Sequence, residues 1–163
     1  MKIYVSTYAK YNSGNLNGEW LTLTDYNDAQ AFLDACYTLH NDEIDPGFPE
    51  LMFQDFEDIH KNYQKECIDL EEVYYYVNAC ISDNKDVIDA GLDCEIPLDS
   101  ILDAYQGQFD SDSDFAYDMA DQCGYLNNIS EQWPFFHIDW QAAAKTLMYD
   151  YVESNGHYFS NNW

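Results

Sequence analysis

The sequence predicts an α+β chain of three small domains: α+β over 1–61, all-helical over 62–103 and α+β over 104–163. Two observations predict this. The first and last thirds mix Ile-, Val-, Thr- and Tyr-rich runs with stretches whose apolar residues recur at helical spacing. The middle third carries helix starts and almost no strand-like run. A length of 163 residues suits one domain or a few small ones, and 17% aromatic residues supply the material for their cores.

The elements follow from local chemistry. Residues 2–8 read as a strand, Asn12–Asn15 and Asn17-Gly18 as turns that tolerate positive φ, and residues 20–23 as a returning strand. Residues 28–40 read as a helix with Phe32, Cys36 and Leu39 on one face and Asp25 or Asp28 at its positive start. The acid-, Pro- and Gly-rich 41–50 is a loop, and 51–57 alternates as a strand. Asp69 caps a helix whose buried stripe is Val73, Val77, Cys80 and Ile81; Tyr74, Tyr75 and Tyr76 diverge around it, so some face outward. Shorter helical pieces follow at 84–91 and 98–105. A helix over 111–123 turns Phe115, Met119 and Cys123 inward and ends at Gly124. Pro134–Ile138 reads as extended. Asp139 caps a helix over 140–152 with Trp140, Ala143, Ala144, Leu147 and Met148 as its core face, and 156–159 is a terminal strand.

Charge narrows the function more than the fold does. There are 31 carboxylates, six lysines and no arginine, a net charge of −25. A nucleic-acid or anionic-membrane binder needs the cations that are missing here. A disordered acidic tail would lack the aromatics. The surplus is even along the chain: net −8 over 1–62, −9 over 63–103 and −8 over 104–163. It therefore belongs to the whole surface. No run is apolar and long enough to span a bilayer or to act as a secretion leader. The five cysteines (Cys36, Cys67, Cys80, Cys94 and Cys123) are loosely spaced, so free buried thiols in a reducing cytoplasm are expected.

Four uses of the charge compete: nucleic-acid mimicry, calcium binding, salt adaptation and acid-dependent catalysis. Asp110, Asp112 and Asp114 fit the start of an EF-hand loop, but Phe115 stands where Gly is needed and Asp121 where a bidentate Glu is needed, so the stretch reads better as a helix start. Salt adaptation leaves the many large aromatics unexplained. No nucleophile, zinc or phosphate-loop motif is present, and His40, His60, His137 and His157 are scattered at core edges or on the surface. No catalytic residue, metal or cofactor is expected.

The spacing of the acids favours mimicry. Asp114, Asp118 and Asp121 fall at i, i+4 and i+7, Asp86, Asp89 and Asp93 at i, i+3 and i+7, and Asp99 and Asp103 at i, i+4. Those steps rise about 4.5–6 Å along a helix. Like-charge pairs so placed cost a few tenths of a kcal/mol each, and a surface built only for solubility would interleave lysines. Duplex DNA carries one charge per about 1.7 Å, so 25 charges match about 40 Å of duplex.

Several blocks carry a family resemblance. They are Tyr4-Val5, Tyr8 to Gly14, Gly18-Glu19-Trp20-Leu21, Phe32 to His40, Asp42 to Pro46 and Glu50 to Glu57. Toward the end come Gly124-Tyr125-Leu126, Ile138-Asp139-Trp140 and Gly156 to Asn161. Together these resemble the ArdA antirestriction family. The resemblance implies a DNA mimic, usually carried on mobile genetic elements, that occupies the DNA-binding groove of type I restriction-modification enzymes. It further implies an elongated, curved acidic rod that forms a homodimer, with no direct binding of nucleic acid. On this reading the phosphate-mimicking acids are Asp42, Glu43, Asp45, Asp55, Glu57, Asp86, Asp89, Asp93, Asp99, Asp103, Asp110, Asp112, Asp114, Asp118 and Asp121. An acidic calcium- or ligand-binding module is the alternative.

Overall fold

The structure is a computed structural model that describes residues 1–41, 49–65, 68–128 and 137–163. It is mixed α and β throughout. The chain packs as two compact units, Met1–Asp83 and Asn84–Trp163.

In the first unit, β1 (Lys2–Thr7) lies between β2 (Glu19–Thr22) and β3 (Leu51–Glu57), both antiparallel to it. Tyr4 faces Asp55 and Val5 faces Phe53, so Gln54 is an extra residue at a bulge in β3. Ile3 and Val5 point into the core and are fully buried. Between β1 and β2, Thr7 caps the short helix α1 (Tyr8–Asn12) by accepting from the Lys10 amide. The next helix, α2 (Ala29–Leu39), starts at Asp28, whose carboxylate accepts from the Ala31 amide at 2.8 Å, and it buries Ala29, Phe32 and Cys36. Helix α3 (Leu70–Ser82) starts at Asp69 and buries Val73, Tyr74, Tyr76, Val77 and Cys80. Two tyrosine hydroxyls anchor it. Tyr74 donates to the Leu23 carbonyl at 2.9 Å, and Tyr76 accepts from the His60 amide at 3.2 Å. Buried hydroxyls must find such partners, and these two tie α3 to the segments beside the sheet.

The second unit begins with α4 (Lys85–Asp93) and α5 (Ile101–Ala104). A Cβ on Gly91 would lie 2.6 Å from Cγ2 of Ile101, so the close approach of these helices requires glycine. Then come β4 (Tyr105–Gln108), α6 (Asp112–Gln122), α7 (Trp140–Leu147), β5 (Tyr151–Ser154) and β6 (His157–Ser160). The sheet order is β4-β6-β5, all antiparallel. Phe115 of α6 is fully buried, with its ring 4.6 Å from that of Tyr158, 5.0 Å from Tyr151 and 5.2 Å from Phe109. Each such aromatic pair adds about 0.5–1.5 kcal/mol beyond burial.

Within the stretch 62–103, α3 belongs to the first unit and α4 to the second. Several elements depart from the sequence reading. The last long helix stops at Leu147 instead of 152. Asn155 and Gly156 both take positive φ, and this two-residue turn pulls Tyr151–Ser154 into a hairpin with β6. In α7 only Ala144 is buried, and Ala143 is exposed. Helix over 98–105 gives way at Tyr105, which opens β4. Ile81 is 60% exposed, because Tyr74 and Tyr76 fill the core beside Val73 and Val77. Cys123 caps α6 on the surface, whereas Cys36 and Cys80 are buried and Cys94 is half-buried. His40, His60 and His157 are buried. Of the expected extended segment, His137 and Ile138 lie outside any strand, and 134–136 lie outside the described residues, as does Cys67.

Candidate functional site

Carboxylates fill the surface of both units. Every described Asp and Glu is exposed except Asp89 and Asp118, which are half-buried. Residues 1–83 carry 16 acids against four lysines, and 84–163 carry 15 against two, for nets of −12 and −13. The two units thus share the charge equally.

The named acids sort by what holds them. Asp42, Glu43 and Asp45 lie outside the described residues. Asp55 and Glu57 sit two apart on β3, so both point to one face of that strand. Glu57 receives the Lys2 ammonium at 3.3 Å from the facing position on β1. On α4, Asp86 and Asp93 are exposed, and Asp89 pairs with Lys85 one turn earlier. Asp99 lies in the turn before α5, and Asp103 lies on α5; both are exposed. Asp110 precedes α6.

Two acids of α6 also serve the fold. Ser111 Oγ accepts from the Asp114 amide at 3.2 Å, capping α6, and donates to the Asp114 carboxylate at 2.6 Å. Asp112 accepts from the Tyr158 hydroxyl at 2.7 Å, which links α6 to β6. Burial pushes that phenol well above the usual tyrosine range, and the bond to Asp112 adds to the rise. Asp118 takes a bond from the Gln122 amide group at 2.5 Å. Asp114, Asp118 and Asp121 form one stripe along α6, as their spacing implied.

Other acids are exposed to the same degree, Glu71, Glu72, Glu95, Asp139, Asp150 and Glu153 among them. Spacing could not have separated them from the named set, because nearly every described acid reaches solvent. The surface also exposes tyrosines, with Tyr75 57%, Tyr117 52% and Tyr149 81% accessible. Chemically, such a surface presents repeated hydrogen-bond acceptors of one sign and suits a cationic partner. Among the described residues no group of three or more His, Cys, Asp or Glu is placed to hold a metal ion. No described helix is long and apolar enough to cross a membrane.

The family model described as antirestriction protein (ArdA) matches residues 3–160, nearly the whole chain. The chain belongs to the ArdA family. No curated protein and no solved structure matches it. ArdA membership supports an antirestriction function in general, exercised by an inhibitor protein on restriction enzymes. Among the described residues, the exposed charged groups of this ArdA chain are mostly carboxylates.

Proposed function

We propose that this ArdA protein is a DNA mimic that occupies the DNA-binding groove of a type I restriction-modification enzyme, in its methyltransferase and specificity core. Its carboxylates stand in for backbone phosphates and engage the Lys and Arg side chains that line the groove. Occupying that groove blocks restriction, and it blocks modification wherever both activities share the groove. The protein does no chemistry of its own. The family resemblance extends the proposal to an elongated, curved, three-domain rod that acts as a cytoplasmic homodimer encoded on a mobile element. One observation supports the reading above all: no described carboxylate is buried, while six lysines face 31 acids. Nothing in the described surface favours the calcium-binding alternative.

Affinity should be electrostatic and spread over many acids, with a negative slope of log K against log salt. The slope per contact should be shallower than DNA's, because a protein releases fewer condensed counterions. The deciding experiment is competition with labelled duplex DNA for a purified type I methyltransferase. DNA should be displaced, and the protein's own affinity for the enzyme, titrated directly without DNA, should fall from about 50 to 300 mM salt as screening grows. Failure to displace DNA, or a directly titrated affinity indifferent to salt, would remove the mechanism.

A further inference from the structure

Helix α2 carries two apolar stripes. Ala29, Phe32 and Cys36 face the core and are buried. Leu33 and Tyr37, four apart, form a second stripe that stays half-exposed. On β3, Leu51 and Phe53 share a face and are also half-exposed. These four side chains line an open groove of about 550 Å³ within the first unit. The start of α3 completes its wall with Asp69 and Glu71, both exposed acids. The groove is thus an apolar floor with an anionic end, on a chain of net charge −25.

We infer that this groove receives a protruding segment of the partner protein, with an apolar side chain seated on the floor and a Lys or Arg beside it reaching Asp69 and Glu71. The charge selects this occupant. A second copy of the chain would bring like charge to the acidic end. A neutral apolar ligand would bring no cation to the exposed Glu71 carboxylate or to Asp69, whose cap bonds leave it charged. A Lys or Arg side chain suits the arrangement because its methylene stem lies on apolar surface while its head reaches an acid. The inference rests on the DNA-mimic reading, since it assigns that partner a second mode of contact. The acid array supplies diffuse, salt-sensitive attraction, and the groove supplies a localised apolar anchor that DNA itself does not offer. Interface anchors of this kind carry a large share of binding energy.

The test uses the full chain in competition with labelled duplex DNA for a purified type I methyltransferase, with L33Q and Y37S as variants. Both positions are half-exposed, and melting temperature reports whether each variant folds. A properly folded variant should compete about tenfold more weakly, because one apolar side chain loses its seat. That ratio to the parent should stay constant from 50 to 300 mM salt, a range that screens charge pairs but not apolar contact. L33M should restore competition. Folded variants that compete as well as the parent would overturn the groove while leaving the mimic reading intact. A parent that fails to displace DNA would overturn both. A ratio that collapses toward one at high salt would reassign the groove to the diffuse array.

Discussion

Replacing Asp103, Asp110 and Asp121 with Asn should weaken partner binding and spare the fold. The structure selects these three. Each is exposed, and none shares in the hydrogen bonds that occupy Asp112 and Asp114. An exposed carboxylate paired with a partner cation is worth about 0.2–1 kcal/mol. Three together give about 0.6–3 kcal/mol, which is roughly a 3- to 150-fold loss of affinity. Net charge falls from −25 to −22, so self-repulsion eases and stability should hold or rise slightly. The assay is DNA competition at 50 mM salt beside a thermal melt, with the three single variants in parallel. Each single change should shift affinity by about fivefold at most. Two results would refute the reasoning. The triple variant could compete within twofold of the parent, which would mean that these acids face no partner. One single variant could abolish competition with its fold intact, which would mean a localised site in place of an array.

Asp112→Asn should behave in the opposite way. It weakens a bond between the buried Tyr158 hydroxyl and a charged acceptor, and such bonds contribute about 1.5–3 kcal/mol, so a urea titration should show a lower midpoint with little added loss of affinity in the folded protein. Stability should also fall in alkali. Burial pushes the Cys36 thiol up to about 12 from 9.0, and burial also raises the Tyr74 hydroxyl. The folded state therefore holds protons that the unfolded state releases. Their contribution is complete below about pH 9 and is lost as pH climbs toward 12. Urea midpoints at pH 7.5 and 10.5 measure this, and Cys36→Ala should lose less between the two. An aromatic disulfide reagent should modify exposed Cys123 at once in the native protein, but Cys36 and Cys80 only on unfolding. Mapping the labelled peptides decides it, and early labelling at Cys36 would contradict the packing of α2.

What could be read in the sequence was what short-range chemistry dictates. Asp69 and Asp139 were legible as caps and Asp28, beside Asp25, as an acid at a helix start; all three accept backbone amides there. Strands β1 and β3 were legible from their composition. The hairpin of β5 and β6 had a signal too, in Asn155-Gly156, but the helical spacing of Ala143, Leu147 and Met148 suggested a helix running on to 152. The turn prevailed because pairing with β6 places Tyr151 against the ring of Phe115, a contact 36 residues away in sequence and invisible to local periodicity. Ile81 misled for a related reason. Two consecutive faces of α3 are apolar, and only tertiary packing decides that Tyr74 and Tyr76 go inside. For the site, the presence of an acidic surface was legible from composition, whereas the division of labour among its acids was not. That Asp112 holds Tyr158, or that Glu57 meets Lys2, depends on strand and helix placement.

The fold turns many of its acids to its own use, and the remainder are informative. Asp28, Asp69 and Asp139 cap helices, and Glu71, Glu72, Asp86, Asp112 and Asp114 lie in first turns, where the helix dipole favours negative charge. Caps contribute about 0.5–2 kcal/mol each. The opposite ends gain nothing of the kind. Asp83 is the C-cap of α3, Asp121 lies in the last turn of α6, and neither helix has a basic residue in its last turn. A carboxylate there meets the negative pole at a cost of about 0.3–1 kcal/mol, where a lysine would gain as much. Folding alone would therefore place lysine at both positions. Asp83→Lys with Asp121→Lys should stabilise by about 1–4 kcal/mol, equivalent to about 2–16 °C in melting temperature. The same variant should compete with DNA less well than the Asn triple, since each position moves two charges instead of one. A variant that melts higher and competes poorly would show acids retained against the interest of the fold. A variant that melts higher and competes like the parent would show that these two acids face away from the partner. One that melts lower would mean that neighbouring groups, not the dipole, set the energetics of these helix ends.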